Sequence, residues 1–205
     1  MVDDARAPVP VHAWPACAAQ ALAELRSGRA MTVISVHTPQ TELRHQARQN
    51  IRRALQEALG TLLQRPAASI PFMSLPGQAM ALDLPKTHIA LSVSHAAGLS
   101  VAAIRVGGAV GIDLMRIEPG ADELPDWARV THDYLGPQTC RQLARLAPAH
   151  RAAAFARAWT RREAGLKSFA LALTEWTPAL EHQLATGAVT ALALPESYCG
   201  ALATR

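Results

Sequence analysis

The sequence has few cysteines, few aromatic residues and a low share of charged residues. Its three cysteines, Cys17, Cys140 and Cys199, lie far apart in a chain of 205 residues and form no Cys-x-x-Cys pair. This spacing argues against a disulfide framework or a zinc site, and it favours a reducing compartment. Aromatic residues account for 4% of the chain, and the abundant alanine instead favours helices that pack through small side chains.

No segment has the pattern of a membrane span, a secretory signal or a P-loop. The longest run without Asp, Glu, Lys or Arg, residues 87–104, is interrupted by serine, histidine and glycine. It predicts strands rather than a transmembrane helix. The chain starts with an acidic segment, which is unlike a secretory signal, and no dinucleotide fingerprint is found. We therefore expect a cytoplasmic protein that does not associate with a membrane.

The composition is that of a globular chain with a surplus of positive charge. Half of the residues are apolar and 18% are charged, which suits one domain or two small lobes. The net charge of +4 favours acidic partners: nucleic acid, an anionic membrane face, a phosphorylated cofactor or an acidic protein. Charge alone leaves these four classes open.

Hydrophobic periodicity and turn residues predict a mixture of helices and strands. The proline-rich region 64–86 is expected to be mostly loop. The pair Gly107-Gly108 favours the positive φ angles of a tight turn, so it predicts a hairpin between the strands on either side. Helices are predicted over residues 14–26, 38–60, 122–130, 138–146 and 149–172, and strands over 30–36, 88–94, 99–106, 109–115 and 188–194.

The predicted strand 109–115 has one apolar face and one face of small residues. Val110, Ile112 and Leu114 alternate with Gly111 and Asp113 along it, and alternate residues of a strand point to opposite faces. The carboxylate of Asp113 is therefore expected on the face with the small residues, where another element can approach closely.

A basic stripe runs along the predicted helix 38–60. Arg44, Arg48 and Arg52 are spaced four residues apart, so they share one side of the helix beside the apolar positions, among them Leu43 and Ile51. The stripe fits an anion-binding surface, and it fits equally the solvated edge of an ordinary amphipathic helix.

Three polar side chains are candidates for chemistry, each with an ordinary structural alternative. Asp113 on a strand and Glu163 on a helix would suit Mg²⁺, which takes one or two carboxylates together with phosphate oxygens and water. Glu163 and Lys167 are one helical turn apart, and Glu four residues before Lys is also the order of a common surface ion pair. His95, at the end of a predicted strand, would also suit a core or capping role.

Three short motifs carry the strongest chemical signal of the sequence. They are Ser92-Val93-Ser94-His95, Gly111-Ile112-Asp113-Leu114, and the segment FARAWTRREAGLK of residues 155–167. Their order and spacing resemble the 4′-phosphopantetheinyl transferase family in its larger single-chain form, with its Ser-His pair, G-[IV]-D strand and W-[ST]-x-[KR]-E-A-x-x-K helix. The third motif is the most specific of the three, and the resemblance covers residues 46–173.

The resemblance implies an α+β fold of two pseudo-symmetric lobes, each a small antiparallel sheet packed on a long helix, with the active site between them. The N-terminal lobe would span residues 1–106 and take the 3′-phosphate side of the cofactor. The C-terminal lobe would span residues 107–205 and carry the metal and the catalytic helix. Such a two-lobe chain is expected to be a monomer.

The resemblance also implies an activity, namely transfer of the 4′-phosphopantetheine group from coenzyme A to a serine of an apo-acyl or peptidyl carrier protein. Asp113 and Glu163 would hold Mg²⁺, and Glu163 would take the serine proton. Lys167 would act in catalysis and contact the cofactor phosphates. The cofactor-binding residues implied are Arg48, Ser94, His95 and Lys167, with Arg48 taken from the match of residues 47–52 to the family's A-R-x-x-[LI]-R helix.

The chain departs from the family pattern at four places. Met115 stands where many relatives have an acidic residue two positions after the metal aspartate, and a thioether is a poor ligand for a hard cation. The family's G-K-P stretch is replaced by Gly77-Gln78-Ala79. Arg162 stands where lysine is common. Ala170 and Ala172 stand where glycines often follow the catalytic lysine.

Two other functions remain open at this point. A catalytically impaired homologue that binds coenzyme A or a carrier protein is consistent with Met115, Gln78 and Ala79. A basic nucleic-acid-binding protein is consistent with the arginine stripe, although no recognised module or aromatic platform supports it. The family resemblance favours an acidic carrier protein and coenzyme A as partners, with no nucleic acid.

Overall fold

The computed structural model describes residues 7–28, 30–39, 44–73, 80–84, 87–117 and 126–205. Its helices are α1 (Ala18–Arg26), α2 (Arg44–Leu63), α3 (Trp127–Ala144), α4 (Pro148–Ser168) and α5 (Pro178–Leu184), with a 3₁₀ turn at Ala67–Ser69. Its strands are β1 (His12–Ala13), β2 (Met31–His37), β3 (Phe72–Met73), β4 (Ala81–Leu82), β5 (Ile89–Ala96), β6 (Leu99–Val106), β7 (Val110–Arg116), β8 (Ala188–Ala191) and β9 (Tyr198–Thr204).

The larger sheet has the strand order β1-β2-β6-β5, and its two faces contact different layers. Alternation along β2 and β6 sends Ile34 and Ile104 towards the helices, where they join Ile51 and Leu55 of α2 in one core. The neighbouring positions face the other way and pack against the smaller sheet, as Val33 does. Both faces of this sheet are therefore buried, which explains the apolar character of β6 along its length.

The smaller sheet has the strand order β7-β9-β8 and lies between the larger sheet and α4. Ile112 and Leu114 face the larger sheet, as alternation predicts. On the opposite face α4 approaches β7 so closely that a Cβ atom on Gly111 would collide with the backbone at Ala164 and Ser168. Small residues on this face therefore let the helix lie directly on the strand.

The predicted hairpin at Gly107-Gly108 is wrong. Strand β6 pairs with β2 and β5, whereas β7 pairs with β9 in the other sheet. Gly107 has a positive φ of 77°, but its amide donates to the carbonyl oxygen of His88, the residue before β5, instead of closing a two-strand turn. The tight turn that does form a hairpin connects β5 to β6 through Gly98, whose φ is 86°.

The C-terminal half contains two elements that the sequence pattern did not predict, α5 and β9. Helix α3 covers residues 127–130 of the predicted helix 122–130 and residues 138–144 of the predicted helix 138–146, and it breaks between them at Gly136 (φ 85°), just before Pro137. The start of the first one and the Gly77-Gln78-Ala79 stretch lie outside the described residues, as does Leu43. The long helix predicted to Ala172 ends at Ser168.

The predicted α+β class is confirmed, with helices and three separate sheets. The pseudo-symmetry of two lobes and the boundary near residue 107 stay predictions. Within the residues that the structure describes, no helix combines the length and the apolar character needed to cross a bilayer.

Candidate active site

An open cavity of about 350 Å³ lies where β5, β7 and α4 meet, with the start of α2 at its rim. It joins residues that are more than 100 positions apart in the chain. The cavity is lined by Arg44, Val93, Ser94, His95, Asp113, Leu114, Met115, Trp159, Glu163 and Lys167. Five of the six residues predicted for the site are thus brought together, namely Ser94, His95, Asp113, Glu163 and Lys167.

Two serines of β5 join the edges of the two sheets beneath this cavity. Strands β5 and β7 run side by side, and the hydroxyl oxygens of Ser92 and Ser94 accept hydrogen bonds from the amides of Ile112 and Leu114, at 3.0 and 3.1 Å. The Ser94 hydroxyl also donates to Oδ1 of Asp113 at 2.9 Å. Side chains therefore supply the bonds that a backbone ladder would supply inside a sheet.

Asp113 forms a close ion pair with Lys167. The ammonium of Lys167 donates to Oδ1 of Asp113 at 2.7 Å and to the carbonyl oxygen of Ile112 at 3.1 Å. Only 7% of Asp113 is exposed, so its negative charge must be stabilised by nearby positive and polar groups instead of by water. The bonds from Lys167 and Ser94 both go to Oδ1, and Oδ2 receives neither of them.

Helix α4 presents three cavity residues from successive turns. Trp159, Glu163 and Lys167 are spaced by four and therefore share one face of the helix. Trp159 is held in place by Phe155, whose ring stacks on it at 5.6 Å, and by the edge of Tyr134 at 5.8 Å. This fixed face gives Glu163 and Lys167 a rigid base.

Burial raises the pKa of Glu163 above that of an ordinary glutamate. The charge of Lys167 lowers that pKa and the charge of Asp113 raises it, so both groups act on the Glu163 carboxylate. A carboxylate that holds its proton more tightly than usual is also a stronger base once ionised. Glu163 and Lys167 line the same cavity, so their spacing of four residues is explained by this shared wall and not only by a surface ion pair.

His95 is neutral at physiological pH. Burial, together with the positive charges of Arg48, Arg44 and Lys167, lowers the pKa of His95 to about 4. Its Nδ1 lies 2.8 Å from the hydroxyl oxygen of Ser100, which fixes the orientation of the ring. The imidazole is a cavity-lining group and not the satisfied core histidine considered from the sequence.

The three arginines of the basic stripe on α2 have different surroundings. Arg44 lines the cavity, which its place in the sequence did not reveal. Arg48 is not among the lining residues, although its charge acts on His95. Arg52 lies over the ring of Phe72, 5.0 Å from the centroid, and so has a packing role.

Met115 contributes an apolar wall to the cavity. It lines the cavity beside Trp159 and packs on the cluster of α3 and α4 that contains Leu135 and Phe155. Arg162, the other departure on this side, points away from the cavity. It donates to the carbonyl oxygen of Thr174 at 3.3 Å and pairs with Glu181 at 3.4 Å, and so anchors the segment after α4.

The donor set of the cavity suits a hard divalent cation that also contacts phosphate. Among the described residues, no cluster of three or more His, Cys, Asp or Glu side chains could hold a metal. Asp113 and Glu163 do line one cavity, and Mg²⁺ bound with phosphates commonly takes only one or two carboxylates from the protein. Two carboxylates beside Lys167 and Arg44 therefore fit Mg²⁺ bound together with a phosphorylated ligand.

Comparison with known proteins agrees with this arrangement. Residues 109–200 match the family model of the 4′-phosphopantetheinyl transferase superfamily, a span that includes Asp113, Glu163 and Lys167. A comparison with curated proteins gave no match. The predicted family is thereby confirmed: over residues 109–200 this chain carries a domain of the 4′-phosphopantetheinyl transferase superfamily.

Proposed function

We propose that this protein transfers the 4′-phosphopantetheine group from coenzyme A to a serine of an apo-acyl or peptidyl carrier protein, that is, that it acts as a holo-carrier-protein synthase. The observation that carries the proposal is the cavity in which Asp113, Glu163 and Lys167 meet His95 and Arg44. The family model of the 4′-phosphopantetheinyl transferase superfamily matches residues 109–200, which supply the first three.

The charge distribution supports a cofactor with several phosphates. Arg44, Arg48 and Lys167 surround the neutral ring of His95, and together they favour anions on the β5 side of the cavity. Arginine suits phosphate because its planar guanidinium donates two parallel hydrogen bonds. In the proposed arrangement residues 1–106 take the 3′-phosphate side of coenzyme A, and residues 107–205 carry the metal and the catalytic helix.

The proposed reaction is attack by the carrier serine oxygen on the β-phosphorus of coenzyme A. A new O–P bond forms while the bond between the β-phosphorus and the bridging oxygen breaks, and adenosine 3′,5′-bisphosphate leaves. Glu163 takes the serine proton, a role that its raised pKa favours. Lys167 neutralises charge on the pyrophosphate and, through its bond to Asp113, keeps that carboxylate in place.

Mg²⁺ would be held by Asp113 and Glu163, and when bound it would neutralise charge on the pyrophosphate as the reaction proceeds. Met115 leaves the protein with two carboxylates at this site, and water or phosphate oxygens would complete the shell. The basic surface suits electrostatic steering of an acidic carrier protein. We expect the protein to act as a cytoplasmic monomer that binds neither nucleic acid nor membranes.

The test is intact mass spectrometry of several apo-carrier proteins after incubation with the protein, coenzyme A and Mg²⁺. A mass gain of one phosphopantetheine is expected, with loss of this gain in EDTA and in the Asp113→Asn and Glu163→Gln variants. Glu175→Gln is the matched control, because Glu175 is an exposed glutamate outside the cavity lining, and it should react like the unmodified protein.

The same experiment separates the proposal from its main alternative, a catalytically impaired homologue that binds coenzyme A or a carrier protein. That alternative is favoured by Met115, whose thioether occupies a wall where an acidic group would help to bind the metal. Coenzyme A binding by the folded protein without transfer to any carrier would establish it. Salt-dependent binding to DNA or RNA without coenzyme A binding would instead support a nucleic-acid-binding protein.

A further inference from the structure

The Ser94 hydroxyl has a bonding pattern that differs from that of its neighbour Ser92. Both oxygens accept a hydrogen bond from a β7 amide, at 3.0 Å from Ile112 for Ser92 and 3.1 Å from Leu114 for Ser94. Ser94 alone also donates, to Oδ1 of Asp113 at 2.9 Å. A serine hydroxyl has a single proton to donate, so the proton of Ser94 is committed to this carboxylate.

This commitment bears on how Ser94 can take part in the reaction. An ionised phosphate accepts hydrogen bonds and therefore needs donors, and the Ser94 hydroxyl offers its only proton to Asp113. Ser94 is also only 7% exposed, at the base of the cavity. The cations whose charges act on His95, Arg44 among them, have protons that they can donate to a phosphate.

Asp113 is held from two sides by donors that belong to different elements. Ser94 of β5 and Lys167 of α4 both donate to Oδ1, at 2.9 and 2.7 Å. A carboxylate with one oxygen held in this way has a fixed plane, and Oδ2 receives neither bond. Groups that orient a metal-binding side chain in this manner commonly change metal affinity or activity by about 10- to 100-fold when they are removed.

We propose that Ser94 is a positioning residue for Asp113, which orients this carboxylate towards the divalent cation, and that it is not itself a contact of the coenzyme A phosphates. The inference rests on the proposed function, because it takes Asp113 as a metal ligand. Ser94 can take this role because it lies at the seam between the two sheets, where β5 of the larger sheet meets β7 of the smaller sheet.

The test is the binding of Mn²⁺, as a paramagnetic probe for Mg²⁺, measured by electron paramagnetic resonance with and without saturating coenzyme A. Coenzyme A binding is measured separately by calorimetry. Ser94→Ala should weaken Mn²⁺ binding about tenfold and leave the Kd of coenzyme A in the absence of metal unchanged. Ser92→Ala is the matched control, because it loses the same kind of bond to a β7 amide without touching Asp113.

Thermal unfolding of both variants separates positioning from damage to the seam. Ser92→Ala and Ser94→Ala each remove the acceptor of one β7 amide, so both should lower Tm, and Ser94→Ala should lower it further because it also loses the bond to Asp113. Only Ser94→Ala should change Mn²⁺ affinity. If that variant does not fold, Ser94→Cys replaces it, since a thiol is of similar size but is a weak donor.

Three results would overturn the inference. One is equal loss of Mn²⁺ affinity in the two alanine variants, which would make the seam as a whole responsible. Another is a Ser94→Ala variant that loses coenzyme A affinity but retains Mn²⁺ affinity, which would indicate direct phosphate contact. The third is the absence of Mn²⁺ binding in the unmodified protein. Failure of the proposed function has a different signature, namely Mn²⁺ binding that depends on Ser94 without transfer to any carrier protein.

Discussion

Replacing Gly111 with alanine should push α4 away from β7 and disable the site. The added Cβ would collide with the carbonyl oxygen of Ala164 and would lie 2.5 Å from the amide nitrogen of Ser168, whereas ordinary contact begins at 3.4 Å. The helix must therefore retreat by about 1 Å, because backbone atoms cannot rotate out of the way. The retreat would separate the ammonium of Lys167 from the carboxylate of Asp113, now 2.7 Å apart.

The expected loss of stability for Gly111→Ala is about 3 kcal/mol, the upper part of the usual cost of overpacking. For a chain of this size the loss corresponds to a fall in Tm of about 9 °C. A displacement of about 1 Å at reacting groups can reduce activity about 100-fold. Denaturant unfolding and the carrier-protein mass assay, run below the transition, measure the two effects separately.

Gly165→Ala is the matched control on the same helix. A Cβ there would meet only the side-chain carbons of Leu184, at 3.6 and 3.7 Å. Alanine is favoured over glycine inside a helix by about 1 kcal/mol, so this variant should be at least as stable as the unmodified protein. Full stability and activity of Gly111→Ala would contradict the close contact between α4 and β7 and the account of the site built on it.

Three further predictions concern charged groups. Burial raises the pKa of Glu163, so the folded protein holds this proton more tightly than the unfolded chain and ionisation costs stability at neutral pH. Glu163→Gln should therefore raise Tm at pH 7 and abolish transfer, and a lower Tm would contradict the assignment. Because the pKa of His95 is lowered from 6.5 to about 4, stability should fall as the pH drops from 6.5 towards 4, where the unfolded chain takes up a proton first. His95→Gln should remove this slope in a pH series of unfolding, and bound coenzyme A should raise the NMR-measured pKa of His95 by offsetting the arginines. Arg162 has 5% of its side chain exposed and Glu181 has 61%, so Arg162→Ala should cost about 2 kcal/mol while Glu181→Gln should cost under about 1 kcal/mol. Equal losses in denaturant unfolding would show that their ion pair, and not the bond to Thr174, anchors the segment.

The local pattern of apolar and polar residues was sufficient to predict most helices and strands, because this pattern follows which side chains are buried. Alternation along residues 109–115 correctly separated Ile112 and Leu114 from Asp113, since one face of β7 packs on a sheet and the other on a helix. The helical spacing of Glu163 and Lys167 likewise placed both on one face of α4. In both cases the information lies within a few residues of the chain.

Pairing between distant strands could not be predicted in this way. Strand β9 contains Gly200, Ala201 and Ala203, which have little strand preference, yet it is the central strand of the smaller sheet. Its residues are small because α4 packs on it through Ala164, a reason that becomes visible only with the helix in place. The prediction of a hairpin at Gly107-Gly108 was wrong for the same reason. The strand that pairs with β7 is β9, which lies at the far end of the chain.

The cavity was predictable in its carboxylates and lysine but not in its remaining walls. Asp113, Glu163 and Lys167 belong to motifs with fixed spacing, so sequence reasoning could find them. Arg44 lines the cavity while Arg48 does not. Two arginines one helical turn apart share a helix face, so their spacing alone does not tell which of them reaches the cavity. The charges of both arginines act on His95, so a search for cations near that histidine would have included both.

The two serines between β5 and β7 have a consequence for solubility. Each of these strands is the last one of its sheet, and an open strand edge is a template on which other chains can add and aggregate. Here the two edges lie against each other, and Ser92 and Ser94 occupy the amides of Ile112 and Leu114. Two small hydroxyl side chains thus help to protect these two edges from pairing with other chains, without the long charged side chains that often serve this purpose.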